Sequence, residues 1–258
     1  VLALLIGGCA VLGLVIGSFL NVVIYRVPIH ESIISPRSKC PNCDTPILER
    51  DNIPVISWLL LRGKCRACNS PISVRYPLVE LATAMAFAGA AARMGWQWEL
   101  PAFLVMLASL LALSYIDVEK LLLPLRIVYP TFLLMAAFLV LAAALDHQWH
   151  RLLVAAITAA AWYVLFFMMN FASPRALGFG DVRLALVLGL GLGWLGWRYA
   201  VLGFMLANII GAGVGIALIA TKRMARNQQI PYGVFLAAGA AIAIYAGPEL
   251  LAPFASFR

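Results

Sequence analysis

The chain has 258 residues, of which 64% are hydrophobic and 12% charged, with a formal net charge of +8. Soluble domains carry about 25% charged residues, so the composition excludes an ordinary soluble enzyme and describes a membrane protein. The positive charge is accounted for by membrane topology and interface anchoring and needs no nucleic acid.

Charges are absent from residues 1–25, 100–116, 127–145, 152–174, 199–221 and 227–248, with shorter gaps at 81–92 and 184–197. A spanning helix needs roughly 17 to 25 mostly apolar residues, because lipid cannot satisfy a bare backbone. In chain order this predicts an all-α polytopic fold with eight transmembrane helices, over about 1–24, 77–93, 100–117, 126–145, 150–170, 181–197, 199–221 and 232–249. The first segment lacks a basic flank and is too long for a typical signal-peptide core, so it reads as a helix. Its Gly13 and Gly17 form a GxxxG pair that lets another helix approach closely.

Eight helices put both termini on one side. Of the nineteen basic residues, fifteen fall in one set of alternating connections, and only Arg93, Arg151, Arg198 and Arg258 fall in the other. By the positive-inside rule the first set is cytoplasmic and both termini face outward. The chain is therefore expected to comprise helix 1–24, a cytoplasmic loop domain at 25–76 and a seven-helix core at 77–258.

Within that loop, Cys40-Pro-Asn-Cys43 and Cys65-Arg-Ala-Cys68 form two CxxC knuckles separated by 21 residues. Two such pairs make a closed tetrahedral four-thiolate site for structural zinc, with no position left for water. A loop of about 50 residues is short for an apolar core of its own, so a metal that contributes folding energy is expected. Disulfides would need an oxidising compartment, and no βαβ pattern supports a thioredoxin-like role. Cys9, inside the first helix, reads as a small buried hydrophobe.

Asp117 ends one apolar run and Asp181 begins another in Gly178-Phe179-Gly180-Asp181. The charge-derived topology puts both at one depth on the cytoplasmic face. Two carboxylates at one depth can share a proton, one activating water while the other donates to a carbonyl oxygen. Gly178 and Gly180 remove bulk, permit unusual backbone angles and let a substrate strand approach. The residues alone leave other readings open: cation coupling in a transporter, with the zinc loop as a structural or gating element, and ordinary interfacial charges.

Supporting positions are Glu80, one turn inside the second helix, where it faces a wet cavity or pairs with Arg75; Asn21, a site contact or a helix-end residue; and Lys120 and Arg183, which flank the aspartates as pKa moderators or headgroup anchors. No P-loop, dinucleotide fingerprint or HExxH occurs.

Taken together, GSFLNVVIYRVP at 17–28, the two knuckles, RYPLVELATA at 75–84, YID at 115–117 followed by LLLP, and GFGDVRLALVLG at 178–189 resemble the type IV prepilin peptidase family, the bacterial leader peptidases of the GxGD aspartyl class. The resemblance implies that Asp117 and Asp181 are the catalytic dyad. It implies a bacterial inner-membrane enzyme that removes the short basic leader of type IV prepilins or pseudopilins, just before the substrate's apolar helix. Members with the cysteine loop commonly also methylate the new N-terminus from S-adenosylmethionine. Two departures stand out: Leu125 where the family often has an acid, and Arg183 where it often has lysine.

Overall fold

A computed structural model describes residues 1–174, 177–222 and 230–254. The chain divides into two compact units, residues 1–96 and 97–258. Four basic residues used to orient it, Arg175, Arg223, Arg226 and Arg258, lie outside the described residues.

In the first unit, α1 (Leu2–Arg26) passes into a 3-10 turn at Val27–Ile29 where Pro28 follows, a long connection carries the short helix α2 (Ile56–Leu60), and α3 (Arg75–Met94) completes the unit. Helix α3 tolerates Pro77 in its first turn, where the missing N–H is not needed, and stops at Gly95 with φ 66°. A Cβ at Gly13 would stand 2.6 Å from the Ala84 Cα, and one at Gly17 would stand 2.6 Å from the Glu80 Cα. The expected GxxxG pair thus lets α1 lie backbone to backbone on α3.

The second unit contains α4 (Leu100–Lys120), α5 (Leu125–Leu145), α6 (Trp149–Ala172), α7 (Phe179–Leu195), α8 (Trp197–Ala220) and α9 (Tyr232–Leu251). Among the described residues, eight long helices therefore occur where eight apolar stretches predict them, with ends shifted by a few residues. Six are long and apolar enough to cross a membrane: α1 with its following turn, α4, α5, α6, α8 and α9. The protein is a polytopic, all-α membrane protein. Helix α3 is interrupted by charge and α7 has only 17 residues.

Helix α7 is the centre of this unit, contacting α4, α5, α6, α8 and α9. Twelve of its 17 residues are buried, as expected of a helix that is apolar all round. Small residues bring it against α6: a Cβ at Gly189 would lie 2.6 Å from the Ala159 Cα, and one at Gly193 would lie 2.9 Å from the Ala155 Cα. At the end where α7 stops, Arg151 joins three helices. It donates to Glu99 at 3.2 Å, to Gln148 at 2.6 Å and to the Trp194 carbonyl at 3.1 Å. Glu99 and Trp194 precede α4 and close α7, so this clasp aligns the two helices that carry the aspartates at their other ends.

Candidate active site and metal centre

Asp117 lies in the last turn of α4 and Asp181 in the first turn of α7, only 5% and 7% exposed. Asp181 is the third residue of its helix, and its carboxylate reaches back to the Gly178 N–H, as an acid does in a capping box. The Asp117 carboxylate is met by the N–H groups of Gly233 and Val234, in the first turn of α9. Two helix N-termini thus present donors to the pair. The carboxylates lie within electrostatic reach of each other. Asp117 Oδ2 and Asp181 Oδ1 are both buried without a hydrogen-bond partner among the described residues. A buried unpaired carboxylate oxygen is destabilising.

The glycines matter through space rather than through torsion. Gly178 has φ −70° and ψ 146°, an ordinary extended conformation, and not the unusual backbone expected before Asp181. Gly180 is needed because a Cβ there would fall 2.9 Å from the Leu123 Cβ, and Gly233 because its Cβ would fall 2.9 Å from Asp117 Oδ2. Sequence reasoning passed over Gly233, Val234 and Leu123. The available signal was depth, since the expected start of helix 232–249 lies on the same face as the two aspartates. Lys120 is exposed at the end of α4, and Arg183 is half-buried with its guanidinium 4.5 Å from the Phe179 ring centre.

The four cysteines converge in the first unit. The Sγ atoms of Cys40, Cys43, Cys65 and Cys68 all lie within 4.8 Å of one another. Cys40 and Cys68 are 3.8 Å apart, and a tetrahedron with Zn–S of about 2.3 Å has edges of about 3.8 Å, so the donor set fits zinc. The knuckles are built alike. Cys40 N–H donates to the Thr45 carbonyl and Cys65 N–H to Ser70, while Asp44 and Asn69 take positive φ of 55° and 58°. The nine residues Lys39–Ile47 and Lys64–Ile72 read KCPNCDTPI and KCRACNSPI, an internal repeat that explains the matching turns. The Ser70 hydroxyl and N–H pull the Cys68 thiol down to about 6. The backbone N–H groups of Asn42 and Cys43 lower Cys40. Both shifts favour the thiolates that bind metal.

Glu80 and Asn21 serve the first unit. The buried Glu80 carboxylate accepts the Val55 N–H at 2.7 Å and the Ser18 hydroxyl. Val55 has φ 60° and ψ −50°, and Ile56 N–H donates to the Pro54 carbonyl at 2.6 Å. This is the rare, strained hand of γ-turn, and a β-branched residue there is a true outlier. Arg75, the other partner considered for Glu80, lies 5.6 Å from the Tyr76 ring centre. Asn21 is buried and donates at 3.2 Å to the carbonyls of both Gly17 and Tyr76, tying α1 to α3.

A helical bundle with a buried acid pair at the ends of two helices describes a polytopic membrane protein that holds the carboxylates an aspartic-type protease would use. Two family descriptions cover most of the chain: the bacterial peptidase A24 N-terminal domain matches residues 11–94, and the type IV leader peptidase family matches residues 104–216. The prepilin leader peptidase/N-methyltransferase of Stutzerimonas stutzeri is 35% identical over 276 residues, covering 96% of this chain and 93% of that protein. Its counterpart in Aeromonas hydrophila is 34% identical over 92% of this chain and 89% of its own length. That of Myxococcus xanthus is 45% identical over 83% of this chain and 63% of its own length. No solved structure matches. The chain belongs to the type IV leader peptidase family.

Proposed function

We propose that Asp117 and Asp181 are the catalytic pair of a membrane-embedded, aspartic-type prepilin leader peptidase. The observation that carries this reading is the pair of buried carboxylates, each with an unpartnered oxygen, on helix ends inside the region matched by the leader peptidase family. Like charges held close favour a pair that carries one proton. The ionised member takes a proton from water, whose oxygen attacks the scissile carbonyl, while the protonated member donates to the carbonyl oxygen. Collapse of the tetrahedral intermediate returns a proton to the leaving nitrogen. The products are a leader with a new carboxylate and a pilin with a free α-amine.

Type IV prepilins and pseudopilins are the substrates, their basic leaders in the cytoplasm and their apolar helices in the lipid, so the scissile bond lies where water reaches the helix ends. This sidedness rests on the fifteen-to-four bias of basic residues. It also takes α3 and α7 as the seventh and eighth spans, with both termini outside and the loop inside. Cys40, Cys43, Cys65 and Cys68 would hold zinc as a closed structural site that orders residues 27–74 and supplies no chemistry to cleavage.

We infer N-methylation of the new N-terminus, with S-adenosylmethionine as donor, from the likeness to the two-activity relatives. Two open surface depressions among the described residues do not suit that cofactor. The one of about 680 Å³ is lined by apolar side chains of α6 alone, and the one of about 320 Å³ lies between the start of α8 and the end of α9, away from the aspartates.

The deciding experiment co-expresses a prepilin with Asp117→Asn or Asp181→Asn and follows leader removal by gel mobility. Each variant is expected to cut about 10²- to 10⁴-fold more slowly, the range attributed to a general acid or base, while still inserting and retaining zinc. Wild-type processing by either would remove that aspartate from the mechanism and leave cleavage to other groups.

A further inference from the structure

Between α4 and α5 the chain turns in four residues, Leu121 to Pro124, and both ends of the turn are pinned. Leu121 takes a left-handed conformation (φ 52°, ψ 42°) with its N–H on the Asp117 carbonyl at 2.9 Å. Pro124 caps α5, its carbonyl accepting from Ile127 at 3.0 Å and Val128 at 3.2 Å. Leu121 and Leu122 are exposed, whereas Leu123 is half-buried.

Leu123 packs where two glycines leave room. The point where a Gly180 Cβ would stand is 2.9 Å from the Leu123 Cβ, and the point where a Gly233 Cβ would stand is 3.2 Å from both Leu123 methyl carbons. That second point is also 2.9 Å from Asp117 Oδ2. Gly180 immediately precedes Asp181. The isobutyl group therefore fills the notch between the turns that present the two carboxylates. It does so at the helix ends, where a water-borne peptide arrives.

We propose that Leu123 is a specificity-determining residue: it forms the apolar wall of the cleft beside the aspartates and limits the size of the substrate residue on one flank of the scissile bond. The proposal rests on the dyad reading above. The glycines of α7 and α9 seat Leu123 close to the acids, where it occupies the space into which a large side chain on that flank would project. One methylene more or less in an apolar pocket changes selectivity by roughly 10- to 200-fold, so a change from leucine to alanine is large enough to read.

The test uses the full-length enzyme in detergent and a prepilin whose residues on either side of the scissile bond are varied in turn through Gly, Ala, Leu and Phe. In the wild type, kcat/KM should fall with side-chain size on one flank. Leu123→Ala should raise the Leu-to-Gly ratio of kcat/KM on that flank about tenfold or more, and Leu123→Phe should lower it by a similar factor. Leu123→Val, a smaller change, carries the enlarging arm if the alanine variant does not fold. Size ranking unchanged within about twofold in the enlarging and Phe variants would overturn the wall. Cleavage by Asp117→Asn in the same assay would instead defeat the dyad reading, so the two failures are distinguishable.

Discussion

The connection between α1 and α3 and the helix α7 solve the problem of order in opposite ways. From residue 28 to 74 only Cys40, Ser57 and Gly63 are buried, whereas α7 buries twelve of 17 residues. The connection has almost no apolar interior, and its specific anchors are the four converging cysteines and the buried Glu80, which accepts the N–H of the strained Val55. Helix α7 is held by many close contacts through glycine and alanine, and no single one is decisive. A dense apolar surround can keep two carboxylates dry and adjacent, while a solvated loop can be ordered by a metal. Each half uses the device its surroundings allow.

Removing the metal ligands should break the comparison most sharply. Structural zinc contributes about 10 to 16 kcal/mol of apparent binding free energy in small domains. Cys68→Ser, or chelation, is therefore expected to abolish amide protection across residues 30–74 in hydrogen-exchange mass spectrometry. Helices α4 to α9 should keep theirs. Loss of protection in α7 under the same treatment would show that the second unit's order depends on the zinc loop.

The reciprocal disturbance targets the packed half. Gly189→Leu drives a side chain into the α6 backbone, where overpacking costs about 1 to 3 kcal/mol or more, and should lower the melting temperature without releasing zinc. Gly233→Ala is a gentler change aimed at Asp117 Oδ2. Displacing a catalytic group by about an ångström lowers rates on the order of 10²-fold, so cleavage should fall by one to two orders of magnitude with near-native stability. Wild-type cleavage by Gly233→Ala would mean that the carboxylate does not need its present position.

Much of this contrast was legible in the sequence. Doubled CxxC spacing announces a metal site because ligand geometry is local, and charge-free stretches announce helices because lipid imposes their length. Gly13 and Gly17 marked a close approach, but not that Glu80 and Ala84 would meet it, since the partner lies about 65 residues away. Asp117 and Asp181 could be placed at one depth from charge counts alone. The donors that α9 brings to Asp117 were marked by depth alone, because Gly233 and Val234 carry no chemical signature. Leu123 looked like one more leucine in a run of three, and only the turn at Leu121 distinguishes it. The strained Val55 is invisible to propensity, which places a β-branched residue elsewhere. The nine-residue repeat, by contrast, was readable once the two knuckles were aligned.

Glu80 tests the loop's second anchor at a smaller scale. Glu80→Ala leaves the Val55 N–H without its acceptor, a loss of about 1 to 3 kcal/mol for a buried donor. It should relax the γ-turn and raise exchange at residues 53–57 while zinc stays bound. Glu80→Gln keeps an acceptor and should lose less. Equal exchange in the two variants would mean that the hydrogen bond does not hold the turn.

The smallest effect is expected from the exposed end of the same loop. Arg66 donates to both oxygens of Asp51, at 2.9 and 2.6 Å, joining the second knuckle to the segment before α2. Arg66 hydrogen bonding, followed by desolvation in the opposite sense and by the charges of Arg66 and Arg50, leaves the Asp51 carboxyl below its usual range. A depressed folded-state value means that the stabilisation is present above the unfolded carboxyl pKa of about 3.9 and is lost as pH falls through the folded value. At neutral pH, Arg66→Ala should therefore loosen residues 49–52 slightly. As pH falls through the folded value the variant and the wild type should converge, because Asp51 is then protonated in both. High salt should shrink the neutral-pH difference as well, since exposed pairs are screened. A difference that persisted in acid or in high salt would assign the role of Arg66 to packing of its stem rather than to its charge.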